Sequence, residues 1–267
     1  MKNANNLLID SHAHLNDEKL LPLAGEIHDT MERDGLRAII NVGYDRESSE
    51  CAYKLTEYEN YFAAVGIHPH DAKTATQGDY ERFAELVTRD KVVAIGEIGL
   101  DFYYDLSPRE VQERVFIEQL DLAHSLKMPV IIHLRDAYGA MLKLLKDNKK
   151  LTEYGILLHC YSGSKEILTE LAKLGAYFSF GGAITFKNAT DKPDVVRATP
   201  KDRLLLETDC PYMTPVPYRG KTNEPKYVNL VADKVSEILS VSREEVAETT
   251  ARNTVEFFGK MKKFISA

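Results

Sequence analysis

The chain has 267 residues, of which 44% are hydrophobic and 28% are charged, and its formal net charge is −7. This length is usual for one α/β barrel, so we expect a single domain over residues 1–267, without the apolar run of roughly eighteen residues that a membrane span requires. The acidic balance argues against adhesion to nucleic acid over the whole surface, but it is compatible with a local cationic site that contains metals.

Short β-branched and aliphatic runs alternate with longer segments of helical period from one end of the chain to the other. This alternation is typical of repeated βα units around a parallel sheet. Eight runs predict strands, at residues 7–15, 36–43, 61–68, 92–99, 129–134, 155–160, 176–184 and 203–208.

The segments between these runs predict amphipathic helices, of which 108–126 has the clearest apolar spacing, behind a proline suited to a first turn. Helices are also predicted at 226–239 and at 242–258, where Ser242 and Glu245 form a capping-box pattern. A long loop is predicted at 214–225. The pattern as a whole predicts a (β/α)8 TIM barrel with an extra C-terminal helix.

Five predicted strands finish in a histidine or an acidic residue: LLIDSHAH, VVAIGE, PVIIH, GILLH and RLLLETD. The carboxyl ends of all strands in a barrel open on one face, so these side chains are expected to meet there. Topology alone therefore predicts one polar site.

His12 and His14 are one residue apart, which on an extended strand places both rings on the same side. They could hold one cation together, and Asp10, which has the same parity, could orient one of the rings. The alternative for an isolated HxH is a polar strand end with two solvated histidines.

Four further candidates, each at the end of a different strand, favour the metal interpretation. They are Glu97, His133, His159 and Asp209. A single strand-end histidine is more often a hydrogen-bonded rim residue, but burying six titratable groups on one rim without a cation would be costly. A carboxylate such as Glu97 can bridge two metals, so the sequence predicts two divalent cations.

Seven motifs occur in order along essentially the whole chain: DSHAH, GIHPH, GEIGLD, IIHLRDA, LLHCYSG, LLLETDCPY and PVPYRGKTNEP. Together they resemble the TatD family of metal-dependent deoxyribonucleases, within the amidohydrolase-like hydrolases. The resemblance implies that one metal is bound by His12, His14 and Asp209, that a second is bound by His133 and His159, and that Glu97 bridges them.

The resemblance also implies 3′ to 5′ removal of nucleotides from DNA, with RNA not excluded. We expect a metal-activated water to attack the phosphodiester and Asp209 to accept its proton as the catalytic base. The lack of a broad basic stripe favours a short or terminal single-stranded segment. Imidazole ligands suit zinc, manganese, nickel or cobalt, and carboxylates also admit magnesium, so the identity of the metals stays open.

Candidates for binding the substrate lie at strand ends and in the proline-rich loop. His68, Arg135 and Arg219 could bind phosphate oxygens, as could His70 and Lys221, although each could equally be a surface charge. Phe102, Tyr103 and Tyr104 could stack on an unpaired base or simply cover the barrel rim.

Two further residues lie beside the predicted ligands in the sequence. Glu207 has the inward parity of Asp209 and could hold a ligand, contact the substrate or form a buried salt bridge. Cys160 follows His159 and is expected to be buried, inert and directed away from the metals.

Two other functions fit parts of the pattern. A two-metal amidohydrolase or esterase could act on a small molecule or an aminoacyl ester, because the same activated water attacks a carbonyl carbon. A binding protein with a structural metal fits less well, since structural sites are usually closed and need no bridging carboxylate.

The N-terminal segment and the cysteines indicate the cellular compartment. MKNANNLLIDSHAH lacks the apolar core of a secretory signal. Cys51, Cys160 and Cys210 form no CxxC pair and leave an odd thiol, as is typical of a reducing compartment. We therefore expect a cytoplasmic protein, and the sequence indicates no obligate protein partner.

Overall fold

The computed structural model describes residues 8–265 and contains one sheet of eight parallel strands. The strands are β1 (Leu8–Ala13), β2 (Leu36–Val42), β3 (Tyr61–Val65), β4 (Val92–Asp101), β5 (Val130–Arg135), β6 (Ile156–Leu158), β7 (Tyr177–Phe180) and β8 (Leu204–Leu206). They pair in sequence order. Beyond β8 the chain bonds to β1, because the Asp209 N–H donates to the His12 carbonyl (2.9 Å). This bond brings the barrel close to closure.

In the described part of the chain, one α-helix follows each of the eight strands, and a ninth α-helix follows the eighth. The helices are α1 (Ala24–Thr30), α2 (Arg46–Leu55), α3 (Gln77–Val87), α4 (Arg109–Ser125), α5 (Tyr138–Asp147), α6 (Lys165–Lys173), α7 (Lys192–Ala198), α8 (Val228–Leu239) and α9 (Arg243–Phe257). At the start of α9, Ser242 Oγ accepts a hydrogen bond from the Glu245 N–H (3.0 Å). The predicted (β/α)8 barrel with an extra C-terminal helix is confirmed. Within residues 8–265, no helix combines the length and apolar character needed to cross a membrane.

The predicted and observed strands differ mainly at their carboxyl ends. Residues 182–185 form a 3-10 helix instead of continuing β7, and β8 stops at Leu206. The Thr208 N–H then donates to the Asp10 carboxylate (2.9 Å) rather than to a strand carbonyl, which explains the early end of β8. In contrast, β4 continues two residues past its predicted end at Gly99. Leu7, where the first predicted strand begins, lies outside the described residues.

Gly99 allows β4 and β5 to approach each other closely at the rim. It pairs with His133 and has a φ of +146°, and a Cβ at this position would lie 2.0 Å from the His133 carbonyl oxygen. A residue with a side chain would clash with this backbone. The glycine therefore positions the carboxyl end of β4 against His133.

The amino-terminal end of the barrel is filled by apolar side chains. Residues near the starts of the strands, such as Phe62 and Ile131, pack in one cluster with Phe258, Met261 and Ile265 from the end of the described chain. All five side chains are buried. This floor confines the interior to one opening, at the carboxyl ends of the strands.

Replacing Phe258 by alanine is expected to destabilise the barrel. Phe258 is fully buried in this floor, and loss of a buried phenylalanine ring typically costs about 3–5 kcal/mol of unfolding free energy. Phe264→Ala is the control, because this ring is 43% exposed. Urea unfolding of the metal-free proteins measures both effects, and equal losses from the two substitutions would contradict the proposed role of the floor.

Candidate metal centre

The structure brings the six predicted metal ligands together at the open end of the barrel. His12, Glu97 and His133 belong to β1, β4 and β5, respectively. The remaining three lie just beyond the ends of strands: His14 after β1, His159 after β6 and Asp209 after β8. The carboxyl ends of parallel strands converge on one face, which explains why residues so distant in sequence meet here.

The Glu97 carboxylate lies at the middle of the group, and its two oxygens face different histidines. Oε2 lies 3.4 Å from His12 Nε2 and 3.7 Å from His14 Nε2. Oε1 lies 2.9 Å from His133 Nδ1 and 2.7 Å from His159 Nε2. A carboxylate that divides its oxygens between two pairs of imidazoles could bridge two cations.

The pair formed by His12 and His14 has the donor atoms of a cation site. Their Nε2 atoms are 3.1 Å apart, and Asp209 Oδ1 lies 3.5 Å from His14 Nε2. His14 Nδ1 lies 2.8 Å from the Val42 carbonyl, which can only accept, so Nδ1 carries the proton. In the neutral ring the lone pair of His14 Nε2 therefore faces His12 and the carboxylates, and this donor set fits a divalent cation.

The pair formed by His133 and His159 is supported by two buried carboxylates. His133 Nε2 lies 3.0 Å from Asp101 Oδ2, and His159 Nδ1 lies 3.7 Å from Glu207 Oε1. The other oxygen of Glu207, Oε2, accepts a hydrogen bond from Ser179 Oγ (2.5 Å), which leaves Oε1 facing His159. Carboxylates behind metal-binding histidines fix the tautomer and ring orientation. Each ring consequently turns its other nitrogen towards Glu97.

Asp101 was not identified from the sequence, although it ends the GLD motif that follows Glu97. Its Oδ2 contacts His133 and also lies 3.0 Å from His70 Nε2. Burial alone would raise the pKa of Asp101, but hydrogen bonds from His133 and His70 outweigh burial and lower it. Asp101 is therefore an ionised acceptor at neutral pH.

Three buried polar atoms beneath the centre have no hydrogen-bond partner among the described residues. They are His12 Nδ1, His159 Nδ1 and Glu207 Oε1. The rings of His12 and His159 are stacked, with centroids 3.9 Å apart, and both contribute ligand atoms to a group with Glu207. Among the roles left open for Glu207, this placement favours support of a ligand.

The ring of His68 turns an N–H donor towards Glu97, whereas a metal ligand would turn a lone pair towards the centre. Its Nδ1 accepts a hydrogen bond from the His70 N–H (3.1 Å), so the proton of the neutral ring lies on Nε2, 3.5 Å from Glu97 Oε1. Burial, together with the charge of His133, lowers the pKa of His68 to about 4, which keeps the ring neutral at pH 7. His68 thus offers an N–H donor, although one of its ring nitrogens lies within 4.8 Å of ligand atoms of Glu97 and His133, a spacing that three ligands of one cation could have.

Three cationic candidates for substrate binding lie around the opening of the barrel, and each is positioned over an aromatic ring. The Arg135 guanidinium lies 4.0 Å from the centre of the Tyr103 ring. Arg219 is exposed, and its guanidinium lies 3.7 Å from the centre of the Phe186 ring. Lys221 Nζ lies 5.4 Å from the centre of the Tyr218 ring. These cations are held by contacts with ring faces.

The hypothesis that Asp10 orients a histidine ring was wrong. Its carboxylate accepts hydrogen bonds from the Thr208 N–H (2.9 Å), from Thr208 Oγ1 (2.5 Å) and from the His12 backbone N–H (3.3 Å). The pairing of β1 with β2 shifts register between Asp10 and Ala13, so simple alternation does not hold there. Asp10 joins the backbones at the closure of the barrel, and burial raises its pKa to about 8.

Cys160 is half-buried rather than buried as expected from the sequence. Burial raises the pKa of its thiol well above the usual value, and the charge of Glu207 raises it further. The thiol is therefore protonated at neutral pH, and this argues against a thiolate nucleophile.

Metal binding to this centre is expected to release protons. Burial alone would lower the pKa values of His14, His133 and His159, but neighbouring carboxylates outweigh burial and raise all three. Below these raised pKa values the histidines hold protons that a cation must displace. As the pH rises through the pKa values, the apparent affinity for the cation therefore increases and fewer protons are released on binding. Titration calorimetry with Mn²⁺ at pH 7 in buffers of different ionisation enthalpy measures the release. Identical heats in all buffers would contradict it.

The chain is similar to known proteins of one family. Residues 9–259 match the family model described as TatD related DNase. A metal-dependent hydrolase from Bacillus subtilis, YabD, is 42% identical over 94% of this chain and 99% of its own length. A protein from Escherichia fergusonii named 3′-5′ ssDNA/RNA exonuclease TatD is 33% identical over 84% of this chain and 88% of its own length.

A solved structure gives the same result for the fold. The crystal structure of YJJV, a TatD homologue from Escherichia coli K12, superposes with a TM-score of 0.89 at 29% identity, covering 96% of this chain and 99% of that one. Since the family model spans nearly the whole barrel and the relatives are metal-dependent hydrolases, the chain belongs to the TatD-related DNase family and is a hydrolase.

Proposed function

We propose that this protein uses two divalent cations to hydrolyse phosphodiester bonds, removing nucleotides from the 3′ ends of single-stranded DNA or RNA. The observation that carries the proposal is the division of the Glu97 carboxylate between two groups of histidines. The name of the Escherichia fergusonii relative supports the substrate and the direction.

The proposed ligands of one cation are His12, His14 and Asp209, and those of the other are His133 and His159, with Glu97 shared. When bound, the cations supply Lewis acidity, which lowers the pKa of water and polarises a phosphoryl oxygen. Magnesium, zinc, manganese, nickel and cobalt are all compatible with nitrogen and carboxylate donors.

Asp209 is proposed to accept the proton of the attacking water. Burial alone would raise the pKa of Asp209, but the hydrogen bond from His14 and the charges of nearby histidines outweigh burial and lower it. Its carboxylate is therefore ionised at neutral pH, and its side chain is 14% exposed, so the acceptor is open to the barrel mouth.

His68 is proposed to bind the phosphate. Its Nε2–H points towards the Glu97 carboxylate, where a phosphoryl oxygen held in the centre would accept from it. The ring is neutral at pH 7, so it serves as a hydrogen-bond donor and adds no charge. Arg135 and Arg219 extend the set of donors to the surrounding rim.

The test begins with the metal content of the purified protein, followed by removal of metal and restoration of each candidate cation. A 5′-labelled single-stranded oligonucleotide is expected to give a ladder of progressively shortened products, and a matched duplex is expected to be degraded more slowly. Simple amides, esters and an aminoacyl ester form the comparison panel. Hydrolysis of that panel alone, with no cleavage of oligonucleotides by any metal form, would exclude the nuclease.

A further inference from the structure

Two exposed tyrosines lie beside the metal centre, directly after β4. Tyr103 is 57% exposed and Tyr104 is 53% exposed. Their backbone N–H groups donate to Asp101 Oδ1, at 3.0 Å and 2.8 Å, and the other oxygen of Asp101 lies 3.0 Å from His133 Nε2. One carboxylate thus fixes both the tyrosines and a proposed metal ligand.

The far side of the same segment is also anchored. The Gln112 side-chain amide donates to the carbonyls of Asp101 (3.1 Å) and Ser107 (2.8 Å), and Lys73 Nζ donates to the Leu106 carbonyl (2.9 Å). With both ends held, the backbone is preorganised to present the two tyrosine rings. Preorganisation reduces the entropy that a ligand would otherwise lose in ordering them.

Arg135 completes this surface. Its guanidinium lies 4.0 Å from the centre of the Tyr103 ring and 4.8 Å from that of Tyr104. Within residues 8–265, no carboxylate lies at ion-pair distance from Arg135, whereas nearby Arg109 pairs with Asp105 (3.1 Å). Stacking occupies the face of a guanidinium and leaves its N–H edge available for a phosphate.

We propose that Tyr103, Tyr104 and Arg135 form a subsite for one unpaired nucleotide next to the bond that is cleaved. A base stacks on the tyrosine surface, and the N–H edge of Arg135 binds the phosphate of the same strand. This inference rests on the proposed nuclease function. A base must be unpaired to present its ring face, so the subsite selects single strands over duplexes.

The exposure of the tyrosines decides between this function and the alternative that they cover the rim. A side chain that covers the rim packs against the core, as Phe102 does, but Tyr103 and Tyr104 are both more than half exposed. The rings contact Arg135 and each other, and Tyr104 also lies edge to face with His70, with ring centroids 5.4 Å apart. The exposed ring surface that these contacts leave is available to a ligand.

The test compares a single-stranded thymidine oligonucleotide with strands that carry one abasic residue at successive positions from the 3′ end. For the wild type, removal of the base at one position is expected to raise KM by roughly 5- to 150-fold, as the loss of one base–aromatic stack does. Tyr103→Ala is expected to raise KM for the intact strand to that of the abasic strand, and Tyr103→Phe is expected to retain most of the difference. Arg135→Lys is expected to raise KM for both the intact and the abasic strand.

Arg203→Gln is the matched control. Arg203 also stacks on a tyrosine, with its guanidinium 5.4 Å from the centre of the Tyr177 ring, but this pair lies at the other end of the barrel. Its KM for each strand is expected to equal that of the wild type. Metal content, measured for every variant, verifies that the centre is intact.

Two results would overturn the subsite while leaving the nuclease in place. One is an intact-strand KM unchanged by Tyr103→Ala, and the other is an equal loss for intact and abasic strands. If the wild type cleaves none of the oligonucleotides but hydrolyses an ester or amide, the proposed function itself has failed, and the subsite fails with it.

Discussion

Replacing Glu97 by glutamine is expected to remove both bound metal and hydrolytic activity. Glutamine has the same shape, but it offers one neutral oxygen where the carboxylate directs one oxygen to each pair of histidines. Burial alone would raise the pKa of Glu97, but the charge of His159 and hydrogen bonds from His12 and His133 outweigh burial and lower it well below its usual value, so the lost group is a full negative charge. Elemental analysis and oligonucleotide cleavage measure the two losses.

Glu81→Gln on α3 serves as the control for this substitution, because Glu81 is an exposed glutamate. It is expected to retain both metal and activity. Full metal occupancy in Glu97→Gln would show that the carboxylate does not bridge, and the two-cation interpretation would then have to be abandoned.

Replacing Asp209 by asparagine is expected to lower kcat by roughly 10²- to 10⁴-fold, the usual contribution of a general base. The amide oxygen can still face His14, which lies 3.5 Å from the present carboxylate, so much of the metal is retained. The amide cannot accept the proton, so the chemical step is slowed. Single-turnover cleavage at matched metal content isolates this effect.

The comparison for Asp209→Asn is Asp194→Asn, at an exposed position on α7. The comparison variant is expected to keep the kcat of the wild type. Near-normal turnover by Asp209→Asn would mean that another group accepts the proton. Loss of metal together with activity would instead mean that Asp209 acts chiefly as a ligand.

The barrel and the meeting of the six polar residues were predictable because both follow from topology. His12, Glu97 and His159 lie towards or just beyond the carboxyl ends of their strands, so they must meet on one face once all the strands run parallel. Identifying the strands required only an apolar run and the residue that ends it. The place of these residues on the rim could therefore be predicted without local backbone detail.

The residues that sequence analysis missed or misplaced depend on that detail. Asp101 was overlooked because Gly99 marks a natural end for a strand, whereas β4 continues past it with a positive φ. Asp10 was misplaced because a register shift in β1 breaks the alternation of side chains. The proton position of His68 follows from the direction of one backbone N–H, that of His70, in the turn after β3.

The apolar floor built from Phe258, Met261 and Ile265 has a consequence for catalytic turnover. With that end sealed, the barrel has no through-passage, so a released mononucleotide must depart by the opening that the remaining polymer also occupies. The strand must shift or dissociate before the next phosphate can be positioned. Rapid processive shortening is therefore disfavoured, and a distributive pattern of products is expected.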